Sequence, residues 1–420
     1  MKYLLALILL AAASLSYAQN GAPANKLDLS PAQRSIAEAQ SLIAEKPSDP
    51  NAYNALATAL VRRARETSDP GYYAQAGDAV RKSLQLSPNN FDTKQIQVEI
   101  LLGEHEFPAA LLAAKALNIQ VPDAVMVYGL LTDANIALGN YQDAETSAQW
   151  MLNLRPGNLP ALLRAAQLRE LFGDVDGSNE LLDMAYQSTP STETEERAWL
   201  LTQMGHLRLA SGDASAAENF LQQALAAFPG CLEAVGNLAK VRIAQARYEE
   251  AIALSRQRYQ SAPRPQNLYE LAEATQLAGH KDEARKLFAE FETRALALSN
   301  IRNNANRELI FYYADYAHEP GKALALARQE YSWRHDVYTL DAYAWALHIS
   351  GQDTEAQKQI ETALAVGIRD AQLFRHAGEI APRAGDYATG ERYQKDFAEP
   401  NAVRSEQVGS AFGDFSAKPH

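Results

Sequence analysis

The stretch Val125–Pro156, VMVYGLLTDANIALGNYQDAETSAQWMLNLRP, contains the pattern that decides the fold. Its first half, up to Gly139, is rich in leucine, alanine and other residues that favour helices. Because glycine adopts positive φ without strain, Gly139 predicts the end of a helix. The second half begins near Tyr141 and ends at Pro156, a residue that cannot continue a helix. The stretch therefore predicts two helices joined by a short turn.

The closing proline and the central glycine of this stretch recur along the chain. The prolines are spaced by 34, 34, 34, 39 and 34 residues, at Pro88, Pro122, Pro156, Pro190, Pro229 and Pro263. The glycine series is Gly139, Gly173, Gly212, Gly279, Gly351 and Gly385. Alanine recurs where two helices must approach closely, at Ala144, Ala217, Ala251, Ala284, Ala323 and Ala356. The chain is therefore predicted to be an array of helical hairpins.

This pattern resembles the tetratricopeptide repeat (TPR) family, a helix–turn–helix unit with characteristic positions for an aromatic residue, leucine, glycine, tyrosine, alanine and proline. In the stretch quoted above, these positions are filled by Tyr128, Leu131, Gly139, Tyr141, Ala144 and Pro156. The resemblance extends from Asn51 to Phe397, with departures at Ser178 and in the missing proline after Gly279.

The resemblance implies an all-α, right-handed superhelical solenoid of about nine to ten helix–turn–helix repeats over residues 30–397. A capping helix is expected ahead of the first repeat. The repeats are expected at 50–88, 91–122, 125–156, 159–190, 198–229, 232–263, 265–298, 304–335, 337–368 and 371–397.

The two ends of the chain differ from the repeats. Lys2, the apolar run Leu4–Ala13 and the small-residue exit Ser16-Tyr17-Ala18 predict a signal peptide over residues 1–18 that is cleaved after Ala18. A flexible linker is expected over 19–29 and a flexible tail over 398–420. The mature chain is predicted to be exported to the periplasm, with secretion as the alternative, and to contain no membrane span.

Composition narrows the classes of function. The formal net charge of −12 opposes binding to a nucleic-acid backbone. Cys231 is the only cysteine, so an intramolecular disulfide is excluded and a packed thiol is expected. The spacing of His335, His348 and His376 fits no metal module, and the common catalytic motifs are absent. We therefore expect no catalytic residues, no cofactor and no metal.

The resemblance implies that the first helix of each repeat lines a concave groove. In the helix from Val337, the helical phase places Tyr338, Asp341, Trp345 and His348 on the face opposite Leu340 and Leu347. The same phase gives the candidate groove residues Arg164, Gln203, His206, Asn237, Lys240, Tyr269, Tyr338, Trp345 and His348. For Tyr312, Tyr316 and Trp345, packing between successive repeats is the competing interpretation.

The predicted function is that of a non-catalytic scaffold or adaptor of the bacterial cell envelope, which binds a partner protein or peptide in the concave groove. The alternative is an envelope polysaccharide-binding or export accessory subunit, in which Trp345 and neighbouring rings stack on sugars. Some TPR proteins clamp acidic C-terminal peptides with lysine, asparagine and arginine side chains. Only Asn237 occupies a matching position here, so the resemblance does not predict binding of acidic C-terminal peptides. The sequence does not identify the partner.

Overall fold

The computed structural model describes residues 29–67 and 69–398, and within them every regular element is a helix. The predicted signal peptide and the tail from residue 399 lie outside the described residues. The first ten helices are α1 (Pro31–Glu45), α2 (Pro50–Thr67), α3 (Gly71–Leu86), α4 (Phe91–Gly103), α5 (Phe107–Gln120), α6 (Val125–Ala137), α7 (Tyr141–Leu154), α8 (Leu159–Leu171), α9 (Val175–Ser188) and α10 (Thr194–Ala210).

The remaining α-helices complete the repeats. They are α11 (Ala214–Ala227), α12 (Leu232–Ala244), α13 (Tyr248–Ser261), α14 (Pro265–Leu277), α15 (Lys281–Leu296), α16 (Asn306–Phe311), α17 (Pro320–Tyr331), α18 (Val337–Ile349), α19 (Asp353–Leu364), α20 (Ala371–Ala384) and α21 (Tyr387–Ala398). A π-helical segment, Tyr312–Tyr316, continues α16.

Short polar side chains fix where several helices begin. The Asp336 carboxylate accepts hydrogen bonds from the backbone N–H groups of Tyr338 and Thr339, each at 3.1 Å, at the start of α18. Asn158 does the same for α8 by accepting from the N–H of Ala161 at 3.0 Å. These caps satisfy backbone donors that have no partner within the helix.

From α2 onward, consecutive helices form antiparallel hairpins, and a residue with left-handed backbone conformation follows the first helix in nine of them. These residues are His105, Gly139, Gly173, Gly212, Ala246, Gly279, His318, Gly351 and Gly385. The repeat therefore persists at His105, Ala246 and His318, where the sequence has no glycine. The recurring alanines, Ala144, Ala217, Ala251, Ala284, Ala323 and Ala356, are completely buried between the helices. The predicted all-α superhelical solenoid is confirmed.

The superhelix also closes on itself, because loops about six repeats apart in the chain touch. Gly139 lies so close to His335 that a Cβ atom added to the glycine would be 2.6 Å from the carbonyl oxygen of His335. In the same way, a Cβ atom added to Gly173 would be 2.5 Å from the carbonyl oxygen of Gly367. Nearby, the backbone N–H of Val337 donates a hydrogen bond to the Tyr141 hydroxyl at 2.9 Å. We call this set of contacts the turn-to-turn contact.

The turn-to-turn contact joins distant repeats into one hydrophobic core. Ile136 and Leu168, from α6 and α8, belong to the same buried cluster as Leu309, Leu347 and Ile380 from the C-terminal repeats. The concave surface is therefore an enclosed interior in this region, and it is divided into cavities.

Candidate binding sites in the concave interior

Most of the predicted groove residues contact neighbouring first helices. The Arg164 guanidinium pairs with the Asp133 carboxylate, with Nη2 and Oδ2 2.5 Å apart. The amide of Gln203 donates to Glu233 Oε1 at 3.0 Å. The Asn237 amide instead bonds within its own helix, where it donates to the backbone carbonyl of Glu233 at 3.1 Å.

The same pattern continues along the interior. Lys240 Nζ lies 3.5 Å from Glu270 Oε1, and the Lys240 side chain remains 54% exposed. Farther along, His348 Nδ1 lies 2.5 Å from Asp353 Oδ1 within its own hairpin. These polar pairs fix the helices relative to one another, so a ligand at these positions would have to compete with existing contacts.

Three of the predicted groove residues are buried: Asn237, at 9% exposed, and the aromatic residues Tyr269 and Trp345, whose placement the structure corrects. Tyr269 is only 7% exposed and packs against Phe288, Phe291 and Tyr316. Trp345 is 6% exposed. The helical phase placed both on the groove side, but the tight winding of the superhelix brings the next repeat over them. Tyr269 and Trp345 therefore pack between successive repeats.

The surroundings of Trp345 show how completely it is enclosed. Its indole stacks on the imidazole of His376 at a centroid distance of 4.2 Å, and Nε1 donates to Asp315 Oδ1 at 2.8 Å. His376 is fully buried, and its Nδ1 lies 2.6 Å from Oδ1 of Asp341, which is itself 2% exposed. Asp341, also predicted to face the groove, is therefore part of a buried polar network.

Tyr338 lies beside the turn-to-turn contact. It lines a cavity of about 340 Å³ together with Tyr141, Gln167 and Arg334. Burial raises the pKa of the Tyr338 hydroxyl above its ordinary value. This residue remains a candidate for ligand contact.

His206 provides a titratable group in the interior. Its Nε2 lies 3.0 Å from Glu170 Oε1, and this hydrogen bond raises the pKa of His206 above 6.5 against the effect of burial. Lys240 lowers the pKa and Asp370 raises it. A raised pKa in the folded state means that the associated stability is fully present below pH 6.5 and is lost as pH rises through the raised pKa.

Replacing Glu170 by glutamine is therefore expected to lower the pKa of His206. The measurement is an NMR titration of the imidazole in the full chain. The stability difference between the two proteins should be larger at pH 6 than at pH 8, and about 1 kcal/mol or less because the pair is partly exposed. Glu249→Gln, which removes the exposed partner of His280, is the control and should leave His206 unchanged. An unchanged His206 titration in Glu170→Gln would contradict the assignment.

A larger cavity, of about 530 Å³, lies between α2 and the N-terminal ends of α10 and α12. We call it the acidic groove. Its charged lining consists of Glu66, Glu193, Glu195, Glu196, Glu233, Arg62 and Arg65, and its other lining residues are Leu163, Trp199, Phe228, Gly230, Cys231 and Leu232. Arg62 Nη2 pairs with Glu195 at 2.6 Å and approaches Glu193 at 3.5 Å. Burial raises the pKa values of Glu195 and Glu196, and in Glu196 the neighbouring Glu193 adds to the shift.

Cys231 forms part of this groove. It is buried at the N-cap position of α12, where its side chain makes no capping hydrogen bond, and its Sγ lies 3.6 Å from the Thr202 hydroxyl. Burial raises the pKa of the thiol, which keeps it protonated and of low reactivity. The sequence predicts a packed thiol at the start of a helix, and Cys231 lies in such a position.

A third cavity, of about 440 Å³, lies where α2, the α4–α5 turn, α14, α16 and the segment before α18 meet. We call it the arginine cavity, because five arginines line it: Arg65, Arg258, Arg264, Arg307 and Arg334. Glu270 and Glu308 are the only acidic residues in its lining. In a chain of net charge −12, this cavity is a local concentration of positive charge.

Sequence reasoning missed both cavities. Trp199 and Glu195 do lie on the face of α10 that carries Gln203 and His206, so helical phase could have found them. No pattern within a single helix indicates that Arg65 and Arg264 lie in one cavity, because they come together only when the superhelix closes.

Two further observations bear on the class of protein. Within the described part of the chain, no group of three or more histidine, cysteine, aspartate or glutamate side chains is arranged to hold a metal ion. Over the same residues, every helix is too short or too polar to cross a bilayer.

Comparison with known proteins agrees with the fold. The family model described as tetratricopeptide repeat matches residues 208–257, which span the end of α10 to α13. No curated protein sequence matches the chain. Human IFIT1, in the structure of its dimer with m7Gppp-AAAA, is 13% identical at a TM-score of 0.50, with 87% of this chain and 85% of that chain covered.

Two other solved structures are similar at lower TM-scores. A chain of the APC/C hetero-tetramer Cut9-Hcn1 is 13% identical at a TM-score of 0.47, and the match covers 82% of this chain but 59% of that one. A thermophilic TPR protein of Thermus thermophilus, TTC0263, is 18% identical at a TM-score of 0.39, with 44% of this chain and 99% of that chain covered. At these identities the likeness concerns the fold alone.

The helical hairpins, their regular left-handed turns and the enclosed concave interior define an all-α repeat solenoid. Within this solenoid, residues 208–257 match the tetratricopeptide-repeat family.

Proposed function

We propose that this chain is a non-catalytic scaffold of the bacterial cell envelope, exported to the periplasm, that holds a partner protein in the acidic groove. The TPR fold is in general a scaffold for protein interactions, which supports the class of function. The sequence pattern of residues 1–18 supports export.

The observation that carries the proposal is the exposed ring of Trp199 within a rim of carboxylates. Trp199 is 36% exposed on α10, whereas Tyr269 and Trp345 farther along the interior are buried. Tryptophan is enriched among residues that dominate binding energy, because it provides a large rigid contact area. The acidic groove therefore offers one apolar contact surrounded by negative charge.

The charges of the groove define the chemistry of the partner. Five glutamates and two arginines line it, and Arg62 already pairs with Glu193 and Glu195. A lysine or arginine next to an apolar side chain would contact Glu196 or Glu233 while the apolar group covers Trp199. The cation would also favour the charged form of Glu196, whose pKa is raised by burial in the free protein. We therefore expect the partner to present a short cationic and apolar segment.

The polysaccharide alternative depended on exposed aromatic rings in the C-terminal half. Trp345 is covered by His376 and bonded to Asp315, and Tyr269 lies in a cluster of aromatic rings. Neither ring presents a free face on which a sugar could stack, so we do not pursue this alternative.

Site-specific photo-crosslinking in intact cells tests the proposal. A photoreactive amino acid replaces Gln203, one helical turn from Trp199 on the same face of α10. The control position is Gln222, an exposed residue of α11 on the second helix of the same hairpin. We expect a discrete adduct in the periplasmic fraction from position 203 and none from position 222.

Trp199→Ala in the position-203 background is expected to abolish that adduct. A synthetic segment of the crosslinked partner should bind the wild-type chain and lose roughly 30-fold or more in affinity with Trp199→Ala, as is usual for a dominant contact residue. Equal adducts at both positions, or an adduct that survives Trp199→Ala, would overturn the proposal. Recovery of the chain only in the cytoplasm would overturn its envelope role.

A further inference from the structure

The arginine cavity concentrates positive charge that nearby acidic residues neutralise only in part. Arg258 pairs with Glu270, while Arg334 makes two hydrogen bonds to Glu330 Oε2, at 3.0 and 2.6 Å. Arg307 Nη2 is 3.8 Å from Glu308 Oε1, at the long end of an ion pair. Arg65 and Arg264 have no carboxylate oxygen within 4.0 Å in the described chain.

Arg264 illustrates the electrostatic imbalance. Its side chain is half-buried, and its Nη2 donates to the neutral side chain of Asn303 at 3.0 Å. Burial lowers the pKa of Arg264, and the like charge of Arg258 lowers it further, although Glu308 opposes the shift. Tyr73 lies near both Arg264 and Arg65, close enough for the two cations to act on its hydroxyl. Cations held together in this way gain from a negative partner.

Two buried side-chain atoms in the lining of this cavity have no hydrogen-bond partner in the described chain. They are His105 Nδ1 and Gln266 Oε1. Burial lowers the pKa of His105 to about 4, and Arg334 adds to the shift, so the imidazole is neutral at pH 7. Buried groups without partners are uncommon in native proteins and often mark functional positions.

The cavity has the size and access that a small ligand requires. Its volume of about 440 Å³ lies in the ordinary range for small-molecule sites. Arg65 is exposed and the Arg307 side chain is 45% exposed, so water and solutes reach both guanidinium groups. Guanidinium groups bind phosphate and carboxylate oxygens in pairs, with fixed geometry.

From these observations we infer that the arginine cavity binds a small molecule carrying at least two negative charges on phosphate or carboxylate groups. Arg65, Arg264 and Arg307 contact its oxygens, and the neutral side chains of Gln266 and Asn303 bond to its uncharged polar groups. This site is separate from the scaffold role proposed for the acidic groove, although Arg65 lines both cavities.

Binding at this site would also join distant parts of the chain. Arg65 lies in α2, whereas Arg264 precedes α14 and Arg307 lies in α16, so a ligand that contacts all three bridges the N-terminal and C-terminal repeats. A ligand that binds only the closed superhelix raises its melting temperature by mass action. The anion that binds, pyrophosphate or citrate, is therefore expected to raise the Tm of the full chain.

The test is isothermal titration calorimetry of the full chain with pyrophosphate, citrate and chloride at constant ionic strength. We expect saturable binding of pyrophosphate or citrate and none of chloride, and the better of the two identifies phosphate or carboxylate as the preferred group. Arg264→Gln should weaken binding about tenfold or more, as expected for loss of a charge-assisted contact. Arg264→Lys, which keeps the charge, should have a smaller effect.

Arg285→Gln is the matched control, because Arg285 is 77% exposed on α15 and the substitution changes the net charge equally. It should leave both the affinity and the rise in Tm unchanged. Circular dichroism establishes that each variant is folded before titration. Absence of saturable binding by both polyvalent anions, or equal affinity for Arg264→Gln and wild type, would overturn the inference.

Discussion

Replacing Asp341 by alanine is expected to lower the free energy of unfolding by about 3 kcal/mol, because it leaves the buried His376 imidazole without its charged hydrogen-bond acceptor. Asp341 is 2% exposed and accepts from the fully buried His376 imidazole and from the Gln372 amide. Removing the carboxylate leaves the fully buried His376 without that partner, whereas the exposed Gln372 amide can bond to water. Urea unfolding of the full chain, followed by circular dichroism, measures the change.

Asp353→Ala provides the matched comparison. Asp353 also pairs with a histidine, His348, at 2.5 Å, but the two side chains are 26% and 16% exposed. Water can solvate the remaining partner, so we expect a loss of about 1 kcal/mol or less. Asp341→Asn keeps the shape of the side chain and should fall between the two. Equal losses for Asp341→Ala and Asp353→Ala would show that His376 is not held in a buried pair.

Gly173→Ala is expected to have the second large effect, because it changes both the backbone and the turn-to-turn contact. Gly173 has φ of +80°, and a Cβ there would lie 2.5 Å from the carbonyl oxygen of Gly367. The left-handed conformation alone costs about 1–2 kcal/mol in alanine. Displacing the Gly367 loop adds about 1–3 kcal/mol, as overpacking does elsewhere. Denaturant unfolding gives the free energy, and small-angle X-ray scattering should show a larger radius of gyration.

Gly279→Ala separates the two effects. Gly279 occupies the equivalent position of another repeat with φ of +85°, but no atom lies within 4 Å of an added Cβ. It should therefore show only the backbone effect and leave the radius of gyration unchanged. If the two variants were equally stable and equally compact, the turn-to-turn contact would not be present in solution.

The fold could be predicted from the sequence because its signals are local. Gly139, Tyr141, Ala144 and Pro156 lie within one hairpin, and their types follow from helix ends and close helix packing. The repeat does not require glycine in every turn, because His105 adopts the left-handed conformation that glycine adopts in other repeats.

The candidate sites could be predicted only in part, because they depend on how tightly the superhelix winds. Helical phase groups Gln203 and His206 on one side of α10. It cannot show that the following repeat covers Trp345, or that Arg65 meets Arg264 across the interior. Both outcomes depend on small rotations between successive repeats, which accumulate along the array and leave no local sequence pattern.

The turn-to-turn contact also restricts how this protein can evolve. In an open solenoid each repeat touches only its neighbours, so whole repeats can be gained or lost by duplication or deletion. Here Gly139 must face His335 and Gly173 must face Gly367, which fixes the number of repeats between them. Duplication of one hairpin within that interval would place the wrong loops opposite each other. Lineages that keep this closed form should therefore vary in length at the ends of the array and not within it.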